Sequence, residues 1–299
     1  MKIWKYGILV FFGGCSYGLL SSFVKMAYNN GFGLSDVTGA QYFFGAFMLW
    51  IANLFIRDHH KLTLKQGIIL LISGIPMGMT GIFYNQSLQY IDASLAIILL
   101  LQYTWIGIAL QYILDKQPPN NRNMIATFII LCGSILASGL IFVKLTFSVI
   151  GIIWGLLAAL SYALFIYSSG KTTIPVHPLR KSAIMNTGAT IIIFIILPPT
   201  FLFNGSLYEG LLPYALLFAF FGSLLPSLLF NIGVPKVGIG LGNILSASEL
   251  PTVIIMSTLI LKETVTLYQW VGVIIILLGI VYPNTHYFVK KNKNNVTLT

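Results

Sequence analysis

Acidic side chains are almost missing from this chain. Seven Asp and Glu stand among 299 residues, against 17 Lys and Arg, and all charged residues together make up only 8%. A soluble domain carries about 25% charged residues, because its surface must face water. So thin a coat cannot solubilise a chain that is 57% hydrophobic, which excludes a water-soluble globule. Cysteine is equally scarce. Cys15 and Cys132 both lie inside apolar runs, so neither a disulfide framework nor a metal site is implied. No G-x-x-x-x-G-K-[ST] loop and no H-E-x-x-H pair occurs, which leaves ATP-driven transport and zinc-protease chemistry without their carriers. His59, His60, His177 and His286 fall in loops or near the last helix end, and no acid pair sits within the apolar runs. An enzyme is therefore not expected, nor is any cofactor or metal. The surplus of positive charge forms no stripe that could track phosphates, so nucleic acid is not an expected partner.

What the chain does have is long apolar runs. A helix needs roughly 20 apolar residues to cross the hydrocarbon core. With that ruler ten spans are expected, at about 3–26, 35–56, 66–88, 92–114, 123–143, 147–169, 181–203, 211–233, 238–261 and 266–288. Strict alternation of apolar and polar residues, the mark of a barrel strand, is absent from runs such as Ile191–Leu197 and Val271–Ile280, so the spans read as helices. Lysine and arginine then set the orientation. With the N-terminus cytoplasmic, only Lys25, Lys144 and Lys262 face outward. The expected placement is a multi-pass plasma (inner) membrane protein with both termini cytoplasmic.

The second half repeats the first after about 146–148 residues. YILDKQPPNNRN at Tyr112–Asn123 stands against LILKETVTLYQW at Leu259–Trp270, which sets Asp115 opposite Glu263. Gly133 then falls opposite Gly279, and IFYNQSL (Ile82–Leu88) opposite LLFNIGV (Leu228–Val234), with Asn85 facing Asn231. Five helices per half is an odd number, so the second half must enter the membrane from the other side. The expected fold is all-α and integral to the membrane, with ten transmembrane helices as two inverted five-helix repeats. The units run over 1–143 and 147–288, with a cytoplasmic tail at 289–299. Such inverted copies build an inward and an outward gate around one central site.

Ten spans, two five-helix repeats and a short acidic turn before a W-x-G…G helix resemble the EamA-type branch of the drug/metabolite transporter superfamily. The matching residues are Gly81–Ser94, Glu249 with Pro251, and Lys262-Glu263 followed by Gln269-Trp270-Val271-Gly272. The likeness covers essentially the whole chain and implies export or uptake of small metabolites such as amino acids. The chain departs from the family pattern at several places. Asp115 replaces a glutamate, Pro118-Pro119 follows it, Tyr103 stands opposite Pro251, and Gln41 fills a position often basic in the family.

Glu249 is the one acid placed near the middle of a span. A carboxylate there costs several kcal/mol unless it is paired, protonated or facing water. Gly242, Ser246, Glu249, Thr252 and Met256 follow at helical spacing as a small and polar stripe, with Ile244, Ile254 and Ile255 on other faces. Two roles are open to Glu249: binding a substrate amine or carrying a coupling proton, or acting as a structural acid bonded to a neighbouring helix. Asn85 and Asn231 are expected at comparable places about the centre, as substrate ligands or interhelical hydrogen bonds. Gln102 and Trp105 add a polar and aromatic face that could stack on a substrate, or merely pack. Gly14-x-x-x-Gly18 and Gly151-x-x-x-Gly155 mark close helix packing, with a homodimer interface as the alternative. Lys25 reads as snorkelling to the surface. Pro76, Pro226 and Pro251 lie within spans and can kink them.

The expected function is a secondary transporter that moves a small metabolite, an amino acid or related amine, by alternating access, with proton coupling through Glu249. A gradient-driven facilitator or exchanger of a sugar or nucleoside is the alternative. Partners are then a small-molecule substrate and the lipid bilayer.

Overall fold

The computed structural model describes residues 3–56, 61–91, 93–139, 148–172, 174–260, 262 and 264–284. Helices fill nearly all of it, and no strand occurs among the described residues. The first half holds α1 (Ile3–Asn29), α2 (Leu34–Leu54), α3 (Leu64–Ser87), α4 (Ala93–Leu101), α5 (Tyr103–Asp115) and α6 (Asn121–Ala137). The second holds α7 (Val149–Lys171), α8 (Pro178–Ile196), α9 (Leu212–Ala219), α10 (Leu225–Val237), α11 (Ile239–Ser246), α12 (Glu249–Leu259) and α13 (Leu267–Val281). A π-helical turn at Phe220–Leu224 joins α9 to α10.

Seven helical stretches are long and apolar enough to cross a bilayer, and α6 and α13 are shorter apolar helices. Each of the ten expected runs holds helix among the described residues, but not every one reaches full spanning length and apolarity. α2 has the length, yet carries Ser35, Asp36, Thr38 and Gln41 in its first half, the half that faces the interior cavity described below. Large apolar side chains cover the outside, including Phe128, Ile195 and Leu278 at 70%, 72% and 61% exposure. In water such a surface would aggregate, and in lipid it is solvated.

Local signals place the helix ends. Thr63 opens α3 by accepting from the Gln66 amide, while Gln66 Oε1 accepts from the Thr63 N–H at 3.0 Å. Thr266 and Gln269 repeat this reciprocal cap at α13, again closing two otherwise unpaired N–H groups. α5 is followed by Lys116 at φ 54°, and Lys262 beyond α12 takes φ 55°. Those lysines lie 146 residues apart, as do the starts of α6 at Asn121 and α13 at Leu267. The constant offset of 146 shifts the register expected at the acidic turn. It sets Tyr103 against Glu249 rather than Pro251, and Lys116 against Lys262.

The mates run antiparallel where they touch. In α6 and α13, Gly133 packs on Ile275 and Ile276, Gly272 on Ala137, and Gly279 on Ala126 and Ile130. As the number rises on one helix it falls on the other. α2 and α8 behave alike: Ser35 meets Thr200 just past α8, the Tyr42 carbonyl accepts from Thr190, and Trp50 donates to Thr187. The remaining helix pairs obey the same exchange, since α1 lies on α10 and α12 as α7 lies on α3 and α5. Halves related by a twofold axis and opposed in direction are inverted copies.

Both GxxxG pairs are used inside the chain. Gly14 faces Ser246 and Ser248, Gly18 faces the Glu249 carbonyl, and Gly151 and Gly155 face Ile91 and Leu99. Removing the Cβ lets these backbones touch.

Candidate functional site

α1, α2, α3, α4, α7 and α12, with the end of α6 and the start of α13, line a cavity of about 690 Å³. Its deep wall carries Tyr17, Gln41, Tyr162 and Glu249, and its mouth carries Lys25, Ser138, Ser257 and Gln269. The mouth residues all sit toward the end of the bundle where α1, α3 and α6 finish and α13 begins. The other end is shut. There Ser248 donates to the Phe11 carbonyl at 2.7 Å, Leu245 meets Gly7, and Tyr6 meets Gly233.

Glu249 owes its position to a break. The chain between Ser246 and Glu249 tightens, Ala247 and Ser248 bonding back three residues to Ile244 and Leu245. α12 therefore starts on a turned frame, and Pro251 falls in its first turn, where a missing N–H costs little. The turned frame also corrects the expected polar stripe. The cavity face of α12 is Glu249, Leu250, Val253, Ile254 and Ser257. Thr252 points at Gly18 of α1, and Gly242 packs on Val234. Ile254, expected on another face, lines the cavity.

No hydrogen bond or ion pair reaches the Glu249 carboxylate from the described residues. Tyr17, Tyr84 and Tyr162 line the same chamber. Tyr162 stacks edge-on against Tyr103 at 4.5 Å and Tyr17 at 5.7 Å, yet its hydroxyl has no hydrogen-bond partner among the described residues. This is a carboxylate at the foot of an aromatic-walled chamber, suited to receive a hydrogen-bond donor or a cation.

The other expected site residues divide. Asn85 lines the cavity and donates to Thr38 Oγ1 at 3.0 Å. Asn231, its mate, lies away from the cavity; it is buried and donates to Ser182 at 2.9 Å. Ser246 is also buried outside it, donating to Tyr103 Oη at 3.0 Å within the shut end. Gln102 and Trp105 bond to each other at 2.8 Å, and Trp105 is 47% exposed on the outer surface. Both halves contribute to the chamber and to the seal, but mated residues do not go to the same place: Asn85 lines the chamber and Asn231 does not. The side chain of Ser94, with Glu263 and Lys144, lies outside the described residues.

Four residues that the sequence pattern did not single out belong to the site: Tyr17, Tyr42, Tyr84 and Tyr162. Their signal is spacing. Tyr17, Ser21, Lys25 and Tyr28 recur every three or four residues on α1, as do Met77, Thr80 and Tyr84 on α3. Gln41 also faces the chamber while donating to the Gly222 carbonyl at 3.1 Å. That carbonyl belongs to the π-helical turn, whose Phe221 and Ser223 carbonyls accept from Ser16 and Asn186. Lys25, expected to snorkel, is exposed but at the cavity mouth. Lys181, counted among the flanking positive charges, is buried and donates to the Ser169 and Thr172 carbonyls at the end of α7.

Lipid-facing helices in two inverted halves, around a chamber open at one end and shut at the other, define a multi-pass membrane carrier. The EamA-like transporter family matches residues 4–139 and again 149–284, and the chain belongs to that family. Its members are membrane transporters of small solutes. A solved structure titled only "Crystal structure of protein" shares the fold, with a TM-score of 0.75 over 93% of this chain and 97% of its own, at 12% identity. None of the curated proteins compared with the chain is significantly similar to it.

Proposed function

We propose that this chain is a secondary carrier of a small amine-containing metabolite, of the amino-acid class, working by alternating access with Glu249 as its binding and coupling group. One observation carries the reading: an unpartnered carboxyl group on the wall of a 690 Å³ chamber that opens at one end only. Burying a carboxyl group away from bulk water without a partner is costly, so a site that keeps one is held for a ligand or a proton. The aromatic walls of Tyr17, Tyr84 and Tyr162 favour a cationic group beside it. In this reading ten spans cross the plasma membrane, both termini are cytoplasmic, and 1–143 and 147–288 are the two moving units. The open chamber then faces outward.

The test is uptake into proteoliposomes of labelled amino acids, amines, sugars and nucleosides, with and without an inward proton gradient. Gradient-driven accumulation of an amine class by the native chain, lost in Glu249→Gln, is the expected result. Exchange that ignores the gradient and survives Glu249→Gln makes Glu249 structural and the protein a facilitator.

A further inference from the structure

We propose that the chamber takes a basic amino acid side chain first, its ammonium or guanidinium tip at Glu249 and its α-carboxylate held at the mouth. The proposal rests on the transport reading above and narrows its substrate. The chamber wall supplies one half of a hydrogen bond far better than the other. Gln41 and Tyr42 of α2 and Thr80 of α3 give protons to the Gly222, Met77 and Pro76 carbonyls. Ser21 of α1 gives its proton to the Gly18 carbonyl, and the Asn85 amide donates to Thr38. All five line the chamber. A hydroxyl whose proton is spent on a carbonyl can only accept. The two amides are anchored by nitrogen, and their Oε1 and Oδ1 oxygens accept no hydrogen bond from the described residues. Together with the Glu249 carboxylate, the wall turns lone pairs to whatever enters. Such a surface fits a ligand rich in N–H groups, an ammonium with three or a guanidinium with five. The rings of Tyr17 and Tyr84 suit the same group, since a guanidinium stacks on an aromatic face.

Positive charge is placed to match. Lys25 is the one cationic side chain among the described residues that line the chamber, and it stands at the mouth. Gly18 meets the Glu249 carbonyl, and Lys25 follows seven residues later on the same helix. At roughly 1.5 Å per residue that is about 10 Å along the axis. An amino acid entering α-amine first would carry its carboxylate, only two bonds behind, to the foot of the chamber. There it would lie beside the Glu249 carboxylate, a like-charge pair sheltered from bulk water, with no lysine or arginine of the described lining to receive it. In lysine and arginine the side-chain charge is six bonds from the carboxylate carbon, roughly 7 Å when extended. A hydrogen bond of about 3 Å completes the rise from Glu249 to Lys25. With the tip at the foot and the carboxylate at the mouth, each charge stands opposite its complement. The α-amine then stays at the mouth too, beside the uncharged Ser257 and Gln269.

The test is equilibrium binding of labelled L-arginine to the full-length chain in nanodiscs, against unlabelled competitors. L-Lysine should compete within tenfold of L-arginine, and so should Nα-acetyl-L-arginine, which keeps both the tip and the carboxylate. L-Citrulline, whose tip is an uncharged isostere, and L-leucine should each be at least thirtyfold weaker. Agmatine, which is arginine without its carboxylate, should bind about tenfold more weakly than arginine in the native chain and equally in Lys25→Met. Thr80→Val, which keeps the shape and removes a lone pair from the wall, should weaken arginine at least threefold. Citrulline or leucine competing as well as arginine overturns the proposal, because the α-amine then sits at Glu249. Loss of binding on acetylating the α-amine overturns it for the same reason. Arginine and agmatine binding equally to the native chain overturn it as well, since the carboxylate then meets nothing at the mouth. These comparisons use the native chain and stand even where neither variant folds. Arginine bound in the expected pattern by a chain that moves none of the assayed solutes loses the transport reading and keeps this one. Uptake of neutral amino acids by a chain that does not bind arginine loses only this one.

Discussion

Replacing Gly18 by alanine tests how the site is held, because it adds one methyl group where α1 crosses the first turn of α12. An ideal Cβ on Gly18 would stand 2.6 Å from the Glu249 carbonyl oxygen, 2.6 Å from Thr252 Cβ and 3.0 Å from Thr252 Cγ2. Ordinary contact needs about 3.5 Å, so α12 must withdraw by roughly 1 Å. The carbonyl is backbone and cannot turn aside. Overpacking of this kind costs about 1–3 kcal/mol, against a gain of up to ~1 kcal/mol from replacing glycine in a helix. The net expectation is a loss of between about 0 and 3 kcal/mol, the difference of those ranges. The matched control is Gly67→Ala on α3, where nothing lies within 4 Å of the added carbon and only the helix gain of up to ~1 kcal/mol remains. Thermal unfolding in nanodiscs, followed by tryptophan fluorescence, reads both. Because the shift of about 1 Å is applied at Glu249 itself, uptake should also fall at least tenfold in Gly18→Ala, a site loosened by that much losing its geometry. Should Gly18→Ala melt at or above the temperature of Gly67→Ala with full uptake, the close crossing of α1 and α12 is not what positions the carboxylate.

Other outcomes follow from single partners. Lys181→Met should lower stability by about 2 kcal/mol, since it strips a buried ammonium from the Ser169 and Thr172 carbonyls that end α7; an unchanged melt would show those carbonyls are satisfied otherwise. Ser223→Ala leaves the buried Asn186 Oδ1 without its 2.6 Å donor and should cost about 1–3 kcal/mol, measured by the same melt. Asp115→Asn breaks a 2.8 Å ion pair to Lys171, whose side chain is 44% exposed; solvent already screens that lysine, so the same melt should barely move. Trp105→Phe, facing away from the chamber, should leave uptake within twofold of the native chain, and a tenfold loss would put the tryptophan back into the pathway.

Much of this architecture is legible in the order of the residues. Ten apolar runs, the inverted repeat and the outlying Glu249 all follow from composition and spacing, because lipid imposes its length and polarity on each helix separately. The lining is less legible. Asn85 and Glu249 reach the chamber, but Ser246, three residues before Glu249, belongs to the seal, because the turn at Ala247–Ser248 rotates one half-helix against the other. A helical wheel drawn through that turn misplaces what lies beyond it, Thr252 and Ile254 included. Sequence matching alone also sets the repeat two residues out at its acidic turn, since apolar helices align equally well in several registers. Cap geometry at Lys116 and Lys262 settles the register.

The sequence by itself determined the class: a thin charge, long apolar runs and a repeat of odd helix number leave room for little but an inverted membrane bundle. Each of those facts is local or periodic, so a linear reading captures it. Only the tertiary structure decided which member of each mated pair meets the chamber. Asn85 lines it and Asn231 does not. Sequence symmetry is blind to that choice, because the two halves encode nearly the same contacts. Which end makes them is a property of how all the helices pack at once.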